Sequence, residues 1–202
     1  RVSAPAEVPY LILGYHVPAL APDDKSYEPY ALDVLAGILG GGNSARLARE
    51  LVREQKLAAS ADAGYSPIAR SPGLLMLDGT PATGHTIDEL ERALRAQIAR
   101  LREQPVTEDE LNRVKAQVVA GNIYGRDSVI GQAMQIGQLV VSDLDWRLQD
   151  TFVRRLKAVT AREVQDVAQK YLVDNNLTVT ILDPQPGGKG RPRPAQGAGH
   201  VR

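Results

Sequence analysis

The chain has 202 residues, 43% hydrophobic and 24% charged, an ordinary globular balance and enough length for one full domain. Its 24 Lys and Arg residues cancel its 24 Asp and Glu residues, so it lacks the basic surplus that phosphate-driven nucleic-acid binding needs. Cysteine is absent, which excludes disulfides, thiolate metal ligands and a cysteine nucleophile, and no apolar run approaches the ~20 residues needed to span a bilayer.

Residues 1–9 read as a linker, and no basic-then-apolar export segment opens the chain, so a fragment of something longer is expected. Val8–Val17 is β-branched and aromatic between Pro9 and Pro18, which predicts a strand. A helix is expected from Tyr27 to Leu39, with Ala31, Val34, Leu35 and Ile38 forming one buried face, and Gly40-Gly41-Gly42-Asn43 ends it. Ser44–Gln55 follows as a second helix, capped by Asn43 or Ser44 and carrying Leu47 and Leu51 on one side. Leu57–Ser66 and Gly73–Thr80, separated by Ser-Pro turn signals, read as antiparallel neighbouring strands.

Three helix starts carry the capping-box pattern: Thr86 with Glu89, Thr107 with Glu110, and Thr160 with Glu163. Their apolar faces are Leu90, Leu94, Ile98 and Leu101; Leu111, Val114 and Val118; and Val164, Val167, Ala168 and Tyr171. The second of these helices is expected to end near Gly121 or Gly125, and Ser128–Val141 and Trp146–Leu156 also read as helical. Leu177–Leu182 is a closing strand, and the Pro, Gly and basic residues of 185–202 read as a disordered tail. No tandem repeat occurs. This order predicts an α+β fold for residues 10–184, with helices packed on one face of a mostly antiparallel sheet.

The chain offers little chemistry. Zinc hydrolases need histidines one helical turn apart, as in H-x-x-E-H, because such side chains reach the same ion. His16, His85 and His200 are the three histidines, and none has a short-range partner. No G-x-S-x-G elbow is present, and the glycine run follows a helix rather than a strand, without the lysine of a phosphate loop. The acidic pairs Asp23-Asp24 and Asp109-Glu110 fall in loop and cap positions. No catalytic or metal-binding residue is assigned, and substrate-contacting residues are left open; the glycine turn could face a substrate or simply end a helix.

Four stretches in this order resemble the C-terminal, non-catalytic type of domain in the pitrilysin/insulinase family of zinc metallopeptidases. They are Gly40–Ala59 (GGGNSARLARELVREQKLAA), Gly73–Leu90, Val106–Gly125 and Val159–Leu182, and the resemblance spans about Tyr10 to Pro184. It implies paired homologous halves enclosing a peptide in a chamber, one half holding zinc through H-x-x-E-H and the other contributing an Arg/Tyr pair that grips substrate. Here Val52 stands at the arginine position and Ala59 at the tyrosine position, both read as packed residues; Arg53 is one step, about 100°, out of place, and Tyr65 lies too far along the next strand.

The resemblance therefore implies a non-catalytic domain that needs no cofactor of its own. Zinc is expected in a missing N-terminal domain, and the Arg/Tyr pair in a homologous partner subunit. A bacterial periplasmic location is expected, a cytoplasmic one being the alternative. A peptide substrate is implied, with no nucleic acid and no membrane span. A scaffold of the same fold, serving assembly or peptide binding, is the competing reading. Apolar residues on the second and third helices serve either to contact the missing domain or to fill this domain's own core.

Overall fold

The computed structural model of the chain describes residues 1–22, 25–126 and 128–186. Strand β2 (Tyr10–Val17) buries Leu11, Leu13, Tyr15 and Val17 and leaves His16 exposed, the two-residue alternation of a sheet covered on one side. With β1 (Val2–Pro5), β3 (Ala58–Gly64), β4 (Gly73–Pro81) and β5 (Leu177–Gln185) it forms a sheet in the order β1-β5-β2-β4-β3. Pairing is antiparallel except between β1 and β5, and the register sets Leu13 opposite Leu77 and Tyr15 opposite Leu75 on the covered face.

One expectation fails at the chain start. Val2–Pro5, assigned to a linker, is an edge strand whose residues pair from Val2–Leu182 to Pro5–Gln185. Two of its four residues are alanine and proline, so the pattern gave no alternation to read; the exposed edge of β5 supplies the partner. The same pairing carries β5 through Pro184 and Gln185, beyond Leu182, and residues 187–202 of the expected tail lie outside the described residues.

The helices are α1 (Glu28–Leu39), α2 (Ile87–Glu103), α3 (Glu108–Arg126), α4 (Val129–Val141), α5 (Leu148–Ala158) and α6 (Ala161–Tyr171), with a π-helix over Leu47–Glu54. All three capping boxes form, each threonine hydroxyl accepting from the glutamate amide while the carboxylate accepts from the threonine amide. The expected faces of α2 and α6 are buried at Leu90, Leu94, Ile98 and Leu101 and at Val164, Val167 and Ala168. Helix α1 exceeds its expected single face: Tyr30, Leu32, Ala36 and Leu39 are buried as well. It packs against β3, α3, α5 and α6 together, so little of its surface meets water.

The segment after the glycine turn also departs from expectation. Its amides bond five or six residues back, Gln55 N–H to Glu50 O at 2.9 Å and Leu57 N–H to Leu51 O at 2.9 Å, and neither Asn43 nor Ser44 caps it. Ser44 Oγ instead accepts from Arg113 at 3.0 Å. Ties to other helices hold the wider winding. Arg46 donates to both oxygens of Glu110 on α3 at 2.6 and 2.7 Å, and Glu50 accepts from Gln97 at 2.8 Å and Arg100 at 2.6 Å on α2. Leu47, Leu51 and the α2 leucines belong to the domain's own core; α4 instead exposes Val129, Ile130, Met134, Val140 and Val141.

The glycine run has a steric explanation. A Cβ on Gly40 would lie 2.1 Å from the Ala63 amide nitrogen, and one on Gly41 would lie 2.5 Å from Gly37 O. Gly42 has φ of 95°, the left-handed region that glycine enters without strain. The end of α1 thus sits directly on the backbone of β3. Gly40→Ala should cost at least about 2 kcal/mol, whereas Gly121→Ala, in open space on α3, should stabilise by about 0.5–1 kcal/mol. Urea unfolding of the two variants checks the contrast.

The Arg46–Glu110 pair is buried, with side-chain exposures of 7% and 11%. The Arg46 guanidinium beside it holds the Glu110 carboxyl at about 2, against the opposing effect of burial. A lowered folded value contributes stability above the unfolded carboxyl range and loses it as pH falls toward 2. Glu110→Gln should cost about 3 kcal/mol at neutral pH, because Arg46 is left buried and unpaired, while Arg46→Met with Glu110→Leu should cost much less. Thermal unfolding of single and double variants between neutral and acidic pH measures both effects.

Candidate functional site

The residues that sequence chemistry singles out do not converge. His16 lies on the open face of β2, and His85 Nδ1 sits 3.4 Å from Glu89, the capping carboxylate of α2. Asp23, Asp24 and His200 lie outside the described residues. Glu110 is committed to Arg46 and Thr107. On the open sheet face the Tyr10 hydroxyl donates to Asp78, and this hydrogen bond, aided by burial and the nearby Asp62, pushes the tyrosine up to about 12. Among the described residues no three His, Cys, Asp or Glu side chains gather in a way that could hold a metal ion.

The positions assigned to the substrate-gripping pair are now placed. Val52 lies on the π-helix and packs against the core, as expected. Ala59 does not: it is exposed where the β3–β4 register shifts between Ala58 and Ser60, because the bulge turns it away from the core. Arg53 is exposed. Tyr65 is half-buried at the end of β3, and its hydroxyl donates to Pro18 O at 2.6 Å.

Beside the glycine turn the structure forms a cavity of about 350 Å³ between α1, β3 and α3. Gly37, Gly40 and Gly41 line one side, Ala63, Gly64 and Tyr65 a second, and Val114, Gln117 and Val118 a third. Asp33 of α1 is its one ionisable carboxylate. Burial pushes this acid up to about 6, and no hydrogen bond or ion pair holds it among the described residues. Tyr65 is pushed above its ordinary range by burial and by the Asp33 charge. Sequence reasoning passed over Asp33, although a signal existed: it is the single charge within Tyr30-Ala31-Leu32-Asp33-Val34-Leu35-Ala36, an otherwise apolar stretch.

The geometry defines a one-sided α+β sheet domain, and among its described residues no three possible donors gather to hold a metal ion. The comparison with known proteins agrees. The peptidase M16 inactive domain matches residues 1–118, more than half of the chain, and the chain belongs to that family. It is 27% identical over 176 residues to the zinc protease PqqE of Helicobacter pylori, covering 87% of this chain and 38% of that protein. It is 24% identical over 190 residues to the alpha subunit of the mitochondrial-processing peptidase of Solanum tuberosum, covering 89% of this chain and 37% of that subunit.

The crystal structure of the inactive peptidase domain of a proposed zinc protease from Bordetella parapertussis superposes with a TM-score of 0.79 at 25% identity, covering 95% of this chain and 99% of that one. The chain thus spans well under half the length of the two sequence relatives. Zinc, which the name of the Helicobacter relative implies, does not fit the described side chains here: His16 is on β2 and His85 in the turn between β4 and α2, and neither joins a group of three possible donors.

Asp33 carries a stability cost that can be measured. Its folded value of about 6 lies above the unfolded carboxyl range, so the fold gains stability as pH falls through 6 and is penalised at neutral pH. Tyr65, the other titratable group on the cavity, stays protonated throughout this range. Asp33→Asn should raise stability by about 2 kcal/mol near pH 7, and the gain should vanish below pH ~4, where the wild-type acid is also neutral. Denaturant unfolding across that pH range checks the sign.

Proposed function

We propose that this chain is the non-catalytic domain of a zinc-dependent endopeptidase and helps to wall a chamber that encloses a peptide. In this reading zinc and the water-activating carboxylate belong to a domain that precedes residues 10–184 in the whole protein. The observation that carries it is membership of the inactive-domain family by a chain whose described residues bring no catalytic set together. Val52 and Ala59 support a further part of the reading: neither can grip a substrate as an Arg/Tyr pair does, so a homologous partner subunit supplies that pair.

The periplasm is the compartment we assign to it. A sequence without cysteine has no thiol to be oxidised there. Native mass spectrometry and a quenched-fluorescent peptide assay test the proposal together. The full-length protein should hold one zinc, residues 1–202 alone none, and hydrolysis should require the full-length protein with its homologous partner. Peptide hydrolysis by residues 1–202 alone, or tight zinc on them, overturns the reading. A full-length protein with neither zinc nor activity overturns it in favour of the scaffold.

A further inference from the structure

We propose that the cavity between α1, β3 and α3 is a subsite for a basic side chain, lysine or arginine, with Asp33 as the counter-ion of its cationic head and the glycine wall as the bed for its methylene stem. Asp33 sits within a helix that is otherwise packed on every side, and it opens onto the cavity. Asp33 is half-buried, and a carboxylate partly withdrawn from water gains from a cationic partner, which the described residues do not provide. Burial alone accounts for its altered acidity, so no cation among the described residues stands near enough to offset it. At neutral pH the group is nevertheless largely ionised, since its value lies near 6.

The rest of the wall selects the kind of cation. Calcium takes about six to eight oxygen ligands and magnesium a near-ideal octahedron, whereas one carboxylate stands here among glycine, alanine and valine carbon. An alkyl stem ending in an ammonium or guanidinium matches both halves of that surface, because such side chains lay their methylenes on apolar ground and carry the charge at the tip. The Gln117 amide nitrogen reaches toward Gly41 O at 3.5 Å, so this donor is turned to the rim rather than to Asp33. Tyr65, which also lines the cavity, has its hydroxyl committed to Pro18 O and so does not offer it to Asp33. A volume of about 350 Å³ is at the small end of ligand sites and suits one side chain.

The glycines are what keep the bed open. Gly40 and Gly41 are also demanded by backbone contacts, so the same residues that seat α1 on β3 leave the cavity without side chains on that wall. That the basic side chain belongs to a peptide rests on the function proposed above; the affinity of the cavity for the cation does not.

Amide chemical shifts of the full chain, titrated with N-acetyl-arginine amide, N-acetyl-lysine amide and the uncharged N-acetyl-norleucine amide, test the assignment. The two cations should give saturable shifts at Gly37, Gly40, Gly41, Ala63 and Gly64 with Kd of about 1 mM, and norleucine should bind at least about tenfold more weakly. Asp33→Asn, which is expected to fold more stably than the parent, should lose about tenfold or more in affinity for the cations. Equal binding of norleucine, unchanged affinity in the variant, or shifts that never localise to the cavity would each sink the subsite. The peptide assay separates the two ideas. Cation binding without any hydrolysis by the full-length protein and its homologous partner together leaves the subsite standing and removes the peptidase reading, and hydrolysis without cation binding does the reverse.

Discussion

Much of this domain hangs on one carboxylate. Glu110 closes the capping box of α3 with Thr107 and at the same time takes both hydrogen bonds of the Arg46 guanidinium. The first role starts a helix; the second anchors the residue at the entrance of the π-helix, just beyond the glycine turn. Since the end of α1 cannot move away from β3 without breaking its close backbone approach at Gly40 and Ala63, the turn is held from two directions. Glu50 repeats the device one turn on, joining the π-helix to α2 through Gln97 and Arg100. Burial pushes that acid up, but the hydrogen bonds from Gln97, Arg49 and Arg100 together hold it below the ordinary carboxylate range. Buried pairs of this kind add little net stability compared with well-packed apolar residues, yet they penalise every arrangement in which one partner is lost.

The cavity is a consequence of that geometry. Helix α1 is enclosed by the sheet on one side and by α3, α5 and α6 on others, so beyond its first residue its solvent access lies at Asp33 and Gly37, beside the glycines. Three glycines on one wall and one on another remove the side chains that would fill such a space. Asp33 is left facing it, neither exposed enough to be fully hydrated nor paired as Glu50 and Glu110 are. The contrast between these three acids is physical: two sit where guanidinium groups meet them, and one sits where the described residues bring no cation to it.

In the function proposed above, this domain contributes shape rather than reactivity. Its histidines are dispersed, one on the open sheet face and one in a helix cap, and its strong electrostatic interactions are spent on joining helices. What distinguishes it chemically is a concave, glycine-walled surface with a single negative charge, a feature suited to holding a group rather than transforming one.

Local pattern determined a great deal here. The β-branched and aromatic run of Val8–Val17, which forms a strand from Tyr10, the three Thr-to-Glu boxes and the leucine spacing of α2 each depend on residues a few positions apart. The order of the motifs was enough to reveal the family, and the lack of paired histidines was visible at once. Other features needed the folded chain. Strand β1 exists because β5 offers an edge 180 residues later in the sequence, at Leu182 opposite Val2, and no local pattern marks it. The π-helix depends on anchors contributed by α2 and α3, and the exposure of Ala59 on a bulge between strands. Asp33 makes the point most simply. Its charge stood out in an apolar segment, but whether it met water, a cation or a cavity was decided by β3 and α3, which approach it only after the chain has closed, because burial is a property of what surrounds a residue and not of the residue itself.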